Sequence, residues 1–406
     1  MGDFLRDSST TKTTYAATFD SLESHDEGIV HFAVSSMRGR RNTQEDAYVV
    51  ETELRAYNIL QNSFHDVLPG HALFAVFDGH GTSFASNYAS MHFAPTFCKQ
   101  ASFVEYSKQC LLDQPQQAKD AKKKFITESQ KKSRSFMYNN DSFAKDKTGE
   151  LRMLLEDAIK TTMIELDSNL FEEMTVRNDH IKKNLASPDK REEVYEEFDS
   201  GTTAIVVILT PTYIVSANLG DSRAILQRDG QHAVSLSYDH KPYNELEELR
   251  IRNAGGVVIS GNVEGRLAVS RGLGDFDFKH TPSVLAAAGN HNDNAKTFAY
   301  VQPENQMVSP VPDITVLRRQ SSRDKFLAIA CDGIWDVVTN ERCAEIICTV
   351  LNEGEQNLAL VCEEVLDQCY AKGSLDNMTA ILVKFWPQEI GSGGGVMKRR
   401  KQRGKK

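Results

Sequence analysis

Short apolar runs recur along the chain at 72–77, 203–209, 213–219, 223–227, 325–330 and 378–385. Some of them, such as Leu73-Phe-Ala-Val-Phe77 and Phe326-Leu-Ala-Ile-Ala330, contain no polar residue. A strand wetted on one face alternates apolar with polar, whereas a strand covered on both faces does not. These runs therefore predict strands buried between layers. The segments 83–93, 151–174, 244–254, 340–351 and 355–370 between them are candidate helices. The simplest packing is a pair of sheets with helices outside them, a layered α/β architecture.

The first 28 residues are rich in Ser, Thr and Asp without a sustained period, and predict a flexible lead-in to a fold that begins at Ile29. Residues 114–150, with Lys122, Lys123 and Lys124 among Gln, Ser and Asn, read as an insertion protruding from the core. The stretch 286–305 is loop-like. A Gly-Ser-Gly-Gly-Gly run at 391–395 predicts a linker, so the folded domain spans 29–387 and 388–406 form a linker with a basic tail. The chain carries a formal charge of −9, yet its last ten residues hold seven Lys or Arg and no acid. The body is thus more acidic than the total. That balance suits a site that concentrates cations and argues against a nucleic-acid partner, contacts of the tail apart.

Hydrophobic residues make up 40% and charged residues 25%, a globular balance. No apolar run reaches the roughly 18 residues of a membrane-spanning helix. The amino terminus lacks the apolar stretch of a secretory signal, and the seven cysteines include no CxxC pair. A cytoplasmic or nuclear monomer with reduced thiols is expected. Gly2 satisfies the glycine requirement of N-myristoylation, but Arg6 stands where Ser or Thr is preferred. Lys398-Arg-Arg-Lys401 reads as a nuclear-targeting or polyanion-binding signal, or as a solubilising tail.

Three Asp-Gly pairs separate structure from chemistry. Asp229-Gly230 lies in a polar context between two β-type runs and predicts a hairpin turn. Asp78-Gly79 and Asp332-Gly333 instead follow apolar strands directly. A carboxylate there is fixed at the rim of the core, and the glycine lets the backbone carbonyl turn toward a ligand. Hard divalent cations take such oxygens. Glu45-Asp46, just ahead of a β-type run, and Asp376, just before the last strand, offer further acids.

The chain resembles the protein phosphatase 2C family of metal-dependent serine/threonine phosphatases. The matching strings are Ser35-Ser-Met-Arg-Gly-Arg-Arg41 running into Glu45-Asp46, Phe74-Ala-Val-Phe-Asp78-Gly-His-Gly81, Ser200-Gly-Thr-Thr-Ala204 and Asn218-Leu-Gly-Asp221-Ser-Arg223. They continue with Asp239-His-Lys-Pro242, Asn253-Ala-Gly-Gly256, Leu267-Ala-Val-Ser-Arg271 with Gly274-Asp275, Cys331-Asp332-Gly-Ile-Trp-Asp336 and Gly373-Ser-Leu-Asp376-Asn-Met378. The resemblance implies two antiparallel β-sheets flanked by helices, and phosphoprotein substrates. It implies two magnesium or manganese ions, with Asp78 bridging them. The Gly79 carbonyl and Glu45 would complete one site, and Asp332 and Asp376 the other. Asp46 would act in the outer shell through coordinated water. Asp221 would bind a third, weaker cation, with Asp336 near it.

By the same resemblance Arg41 grips the substrate phosphate, a task that suits its planar fork of donors. His80 is the candidate general acid for the basic Ser or Thr leaving group. A water bridging two divalent cations is acidified toward neutrality, and the resulting hydroxide can attack phosphorus without a covalent enzyme intermediate. Arg40 offers a second positive charge beside Arg41, and 239–278 resembles the family's flap beside the active site. Two rivals are a silent phosphoprotein-binding module and a hydrolase of small phosphate esters. The presence of Glu45, Asp78, Asp332 and Asp376 favours an active enzyme over the first.

Overall fold

The computed structural model describes residues 12–20, 29–112, 144–184, 199–229, 232–279, 301–385 and 395–403. Eleven strands build two sheets: β1 (Lys12–Asp20), β2 (Ile29–Met37), β3 (Ala47–Glu51), β4 (Ala72–Phe77), β5 (Ala204–Leu209), β6 (Tyr213–Leu219), β7 (Arg223–Arg228), β8 (Val234–Ser235), β9 (Asp313–Arg318), β10 (Asp324–Ala330) and β11 (Met378–Phe385). The six-stranded sheet runs β1-β2-β11-β10-β7-β8 and the five-stranded sheet β9-β6-β5-β4-β3. Every pairing within them is antiparallel.

The uninterrupted apolar runs are explained by what lies on each face. In β4, Ala72, Phe74 and Val76 join the core between the sheets, while Leu73, Ala75 and Phe77 join a second core beneath helices. In β11, Ile381, Val383 and Phe385 face the opposite sheet, and Met378, Ala380 and Leu382 face the helices on the other side. Period-two alternation is still present, but both faces are apolar because both are covered. Phe32 and Phe74 meet across the inter-sheet core with ring centroids 5.7 Å apart.

Helices α1 (Phe84–Lys99), α2 (101–112) and α3 (Ala144–Asn184) lie along the five-stranded sheet. Helix α4 (Glu245–Asn253) lies within the 239–278 segment. Beyond the short α5 (Asp332–Trp335), helices α6 (Asn340–Asn352) and α7 (Leu358–Ala371) cover the six-stranded sheet. The side chains of Thr339 and Asn357 cap α6 and α7 by accepting from Arg342 N and Ala359 N. The layers follow the predicted sandwich. Asp229 lies at the turn joining β7 to β8, which pair antiparallel, as the polar Asp229-Gly230 context predicts.

Three boundaries differ from the sequence reading. Lys12–Asp20 is a strand that pairs along its whole length with β2, so the fold begins before Ile29. Its Thr, Tyr and Phe are good strand formers hidden between Ser- and Asp-rich flanks. Residues 144–150 belong to α3 rather than to an insertion, the rest of which, like Gly2, lies outside the described residues. The tail is not uncoupled: Gly395–Arg403 forms helix α8, docked on α6 and α7. Val396 is buried, Gly395 N donates to the Glu353 carbonyl (2.9 Å), Arg399 pairs with Glu353, Arg400 with Glu363 (2.7 Å) and Arg403 with Glu364. The acidic face presented by α6 and α7 supplies the complement that the tail sequence alone does not reveal.

Candidate active site

Strand register brings the acidic residues to one edge of the sandwich. Ala47 pairs with Phe77, so Asp46, just before β3, and Asp78, just after β4, flank the last rung of the same ladder. Ala330 pairs with Ala380 across β10 and β11, which puts Asp332 and the Asp376-Asn377 corner at the same end of the other sheet. Asp221 follows β6. One carboxylate oxygen from each of Asp78, Asp221 and Asp332 lies within 4.8 Å of the others, and Asp46, Asp78 and the Cys331 thiol form a second such group. A cleft of about 300 Å³ opens over them, its walls including Arg41, Glu45, Gly79, His80, Arg266 and Asp376.

Asp221 is buried, Asp46, Asp78 and Asp332 are half-buried, and the carboxylates crowd one another. Burial, then the charges of Asp46, Asp332, Asp221 and Asp376, push the Asp78 carboxyl well above its ordinary range. Burial with Asp221 and Asp336 raises Asp332 to about 8, and burial raises Asp46 to about 6 against the hydrogen bond from Thr379. The Asp46 Oδ1 atom is buried and finds no donor among the described residues. Hard oxygen donors that repel one another at the floor of a cleft fit a hard divalent cation. Two glycines are sterically required there. A Cβ on Gly79 would stand 2.4 Å from the Glu45 carbonyl oxygen, and one on Gly333 would stand 1.9 Å from that of Asn377.

The remaining predicted residues divide. Glu45 lines the cleft, accepts from Thr43 Oγ1 (2.6 Å) and is anchored through its backbone N–H to Asn377 Oδ1 (2.8 Å). Asn377 also donates to the Arg38 and Thr43 carbonyls, so one side chain shapes the 38–45 loop. Arg41 reaches the cleft and pairs with Asp376 Oδ2 at 2.5 Å. Asp221 is bridged by Lys241 Nζ at 2.5 Å, a cation from the Asp239-His-Lys-Pro242 string that occupies the carboxylate expected to bind a third metal. Asp336 caps α5, its N–H bonded to the Asp332 carbonyl, and joins neither carboxylate group. Arg40 turns away to stack over Tyr370, 4.7 Å from the ring centroid, and does not line the cleft.

His80 has a partner that the sequence reading leaves without a role. Its Nε2 lies 2.7 Å from Asp275 Oδ1. Burial opposes a charged imidazole, but the carboxylates of Asp275, Asp221 and Glu45 together outweigh it and raise the His80 pKa above 6.5. Asp275 sits in the left-handed region at φ 54°, unusual for a residue with a side chain. The loop bearing it is tied down by Lys279, fully buried, which donates to Asp167 Oδ1 (2.6 Å) and to the Gly272 carbonyl (2.9 Å). Asp275 and Lys241 lie inside the matching strings, but only the folded chain shows what they touch.

The flap wall of the cleft, Arg266 to Val269, hangs on an ionic anchor. Glu247 on α4 accepts from Arg271 Nη2 (2.7 Å), Arg250 Nη1 (2.7 Å) and Ser270 Oγ (2.6 Å). Arg271 reaches on to Asp313 at the start of β9. Burial works to raise the Glu247 carboxyl, but the arginines hold it down at about 2, against 4.5 when free. A depressed folded pKa contributes stability above 4.5 that is lost as pH falls toward 2. Acid unfolding should therefore steepen over that window by up to about 3 kcal/mol. Thermal melts of Glu247→Gln should show a shallower fall of Tm from pH 4.5 to 2, and an unchanged slope would refute the anchor.

The sequence profile described as Protein phosphatase 2C matches residues 121–378, more than half of the chain. The chain belongs to the protein phosphatase 2C family. It is 32% identical over 386 residues to Protein phosphatase ppm-1.A of Caenorhabditis elegans, covering 95% of this chain and 64% of that relative. It is 33% identical over 356 residues to Protein phosphatase 1B of Rattus norvegicus, covering 88% of this chain and 70% of that one. Among solved structures it is similar to a serine-threonine phosphatase 2C from Toxoplasma gondii, with a TM-score of 0.57, 20% identity and coverage of 92% and 99%. Another Toxoplasma gondii phosphatase superposes at a TM-score of 0.58 with 21% identity, covering 94% of this chain and 97% of that one. The fold is that of this family, and the domain is a protein phosphatase domain of the 2C type. No helix among the described residues is long and apolar enough to cross a membrane.

Proposed function

We propose that this chain hydrolyses phosphoserine and phosphothreonine esters of proteins in one step, by attack of water and without a phosphoenzyme. The observation that carries this reading is the juxtaposition of Asp78, Asp221 and Asp332 at the floor of a cleft whose walls hold Arg41 and His80. Asp78, the Gly79 carbonyl, Glu45, Asp332 and Asp376 would hold two magnesium or manganese ions, with Asp46 in support. When bound, such ions supply Lewis acidity and a water acidic enough to react at neutral pH.

The chain's own groups do the rest. Arg41 exchanges Asp376 for two phosphate oxygens, for which its planar fork is suited. Asp275 holds the Nε2 proton of His80, which leaves Nδ1 to pass a proton to the departing Ser or Thr oxygen. The thiol at the site is no nucleophile: Cys331 is fully buried, its pKa is pushed well above 9, and Sγ accepts from Thr379 N (3.1 Å). Lys241 neutralises Asp221 in place of a third cation.

Phosphate release from a phosphothreonine peptide tests the proposal. Turnover should appear with manganese and vanish with excess chelator. A folded chain that binds manganese, raising its Tm, yet releases no phosphate would overturn it.

A further inference from the structure

A second, smaller pocket of about 170 Å³ adjoins the cleft and shares His80, Arg266 and Leu267 with it. Its other walls are acidic and aromatic: Asp199, Asp275 and Asp277 beside Phe276 and Phe278. Carboxylates next to ring faces suit a long cationic side chain, whose stem lies on the rings while its head meets the acids.

Two observations distinguish this pocket from a solvated acidic patch. Asp275 is only 5% exposed; its Oδ1 meets His80, and its Oδ2 finds no donor among the described residues. A buried carboxylate oxygen without a donor leaves its charge uncompensated and makes the adjoining pocket more attractive to a cation. The chain's own Arg266 already shows the pose: Nη1 donates to Asp277 Oδ2 at 3.2 Å, and the guanidinium carbon lies 4.7 Å from the Phe278 ring centroid. Both members of that pair are mostly exposed, so the contact is weak and exchangeable.

We propose that this pocket binds an arginine or lysine of the substrate within three residues of the phosphorylated one, so that the enzyme selects phosphosites with a basic neighbour. The spacing follows from the shared walls, because an extended peptide advances about 3.3 Å per residue. The inference rests on the phosphatase reading and names the substrate feature that this reading leaves open.

The test uses phosphothreonine peptides with arginine, alanine or glutamate at each of the three positions on either side. The full chain should prefer an arginine peptide over its alanine counterpart at one or more positions by roughly fivefold to tenfold in kcat/KM, mainly through KM. The double variant Asp199→Asn with Asp277→Asn should lose that preference while hydrolysing p-nitrophenyl phosphate, which lacks the side chain, at the original rate. Absence of a preference, or its survival in the double variant, overturns the pocket. Fluorescence anisotropy of the same peptides in chelator reads affinity without turnover. An arginine preference in binding with no phosphate release would sink the phosphatase reading alone, and turnover indifferent to arginine would sink the pocket alone.

Discussion

Asp332→Asn is expected to lower turnover of a phosphothreonine peptide by roughly 10³-fold while making the cation-free chain more resistant to heat. The two effects share one cause. Asp332 is held beside Asp78 and Asp221, and burial with the charges of Asp221, Asp336 and Asp376 lifts its carboxyl to about 8. Asparagine is nearly isosteric and keeps the backbone N–H that reaches Asp78 Oδ2 at 3.4 Å. It removes one member of a repelling group, so the fold gains about 1–3 kcal/mol in chelator. The same change removes an oxygen that a divalent cation needs. Thermal melts with chelator and with manganese, set beside phosphate release, separate the outcomes. Tm should rise in chelator, and the increment from manganese should shrink. A variant that melts lower in chelator yet keeps the full manganese increment would show that Asp332 is structural and not a ligand.

This opposition explains which parts of the molecule the sequence discloses. The strands 72–77, 213–219 and 378–385 are legible because a residue buried on either face must be apolar, and their ends then locate Asp78 and Asp332. Gly79 and Gly333 mark the same places because no side chain fits against Glu45 and Asn377. Pairings between distant segments are not legible. Nothing local to Asp221 announces Lys241, nothing local to His80 announces Asp275, and Arg40 resembles a phosphate ligand until Tyr370 is seen beneath it. The tail misleads for the same reason: a run of arginines reads as free charge unless Glu353, Glu363 and Glu364 are known to face it. Acids fixed by strand ends are local facts, whereas their partners are properties of the fold.

His80→Gln should slow phosphothreonine hydrolysis by about 10² to 10³-fold and p-nitrophenyl phosphate hydrolysis by less than about tenfold. The discrimination comes from the leaving group. A threonine alkoxide is strongly basic and departs only as it gains a proton, whereas a nitrophenolate leaves unassisted. The side chain of His80 is about one-third exposed and hydrogen-bonds to Asp275, so its replacement does not empty the core. Asp275→Asn supplies the graded counterpart. Asparagine tolerates the left-handed backbone of that position and keeps an oxygen for Nε2, but it no longer favours a charged imidazole. Its loss should be smaller, roughly tenfold, and confined to the same basic leaving groups. Equal losses on both substrates, in either variant, would remove the proton-donor role from His80 and leave it only a place in the wall. Selective losses in both would show that the loop clamped by Lys279 and Asp167 reaches the chemistry through one hydrogen bond, from the His80 ring to Asp275.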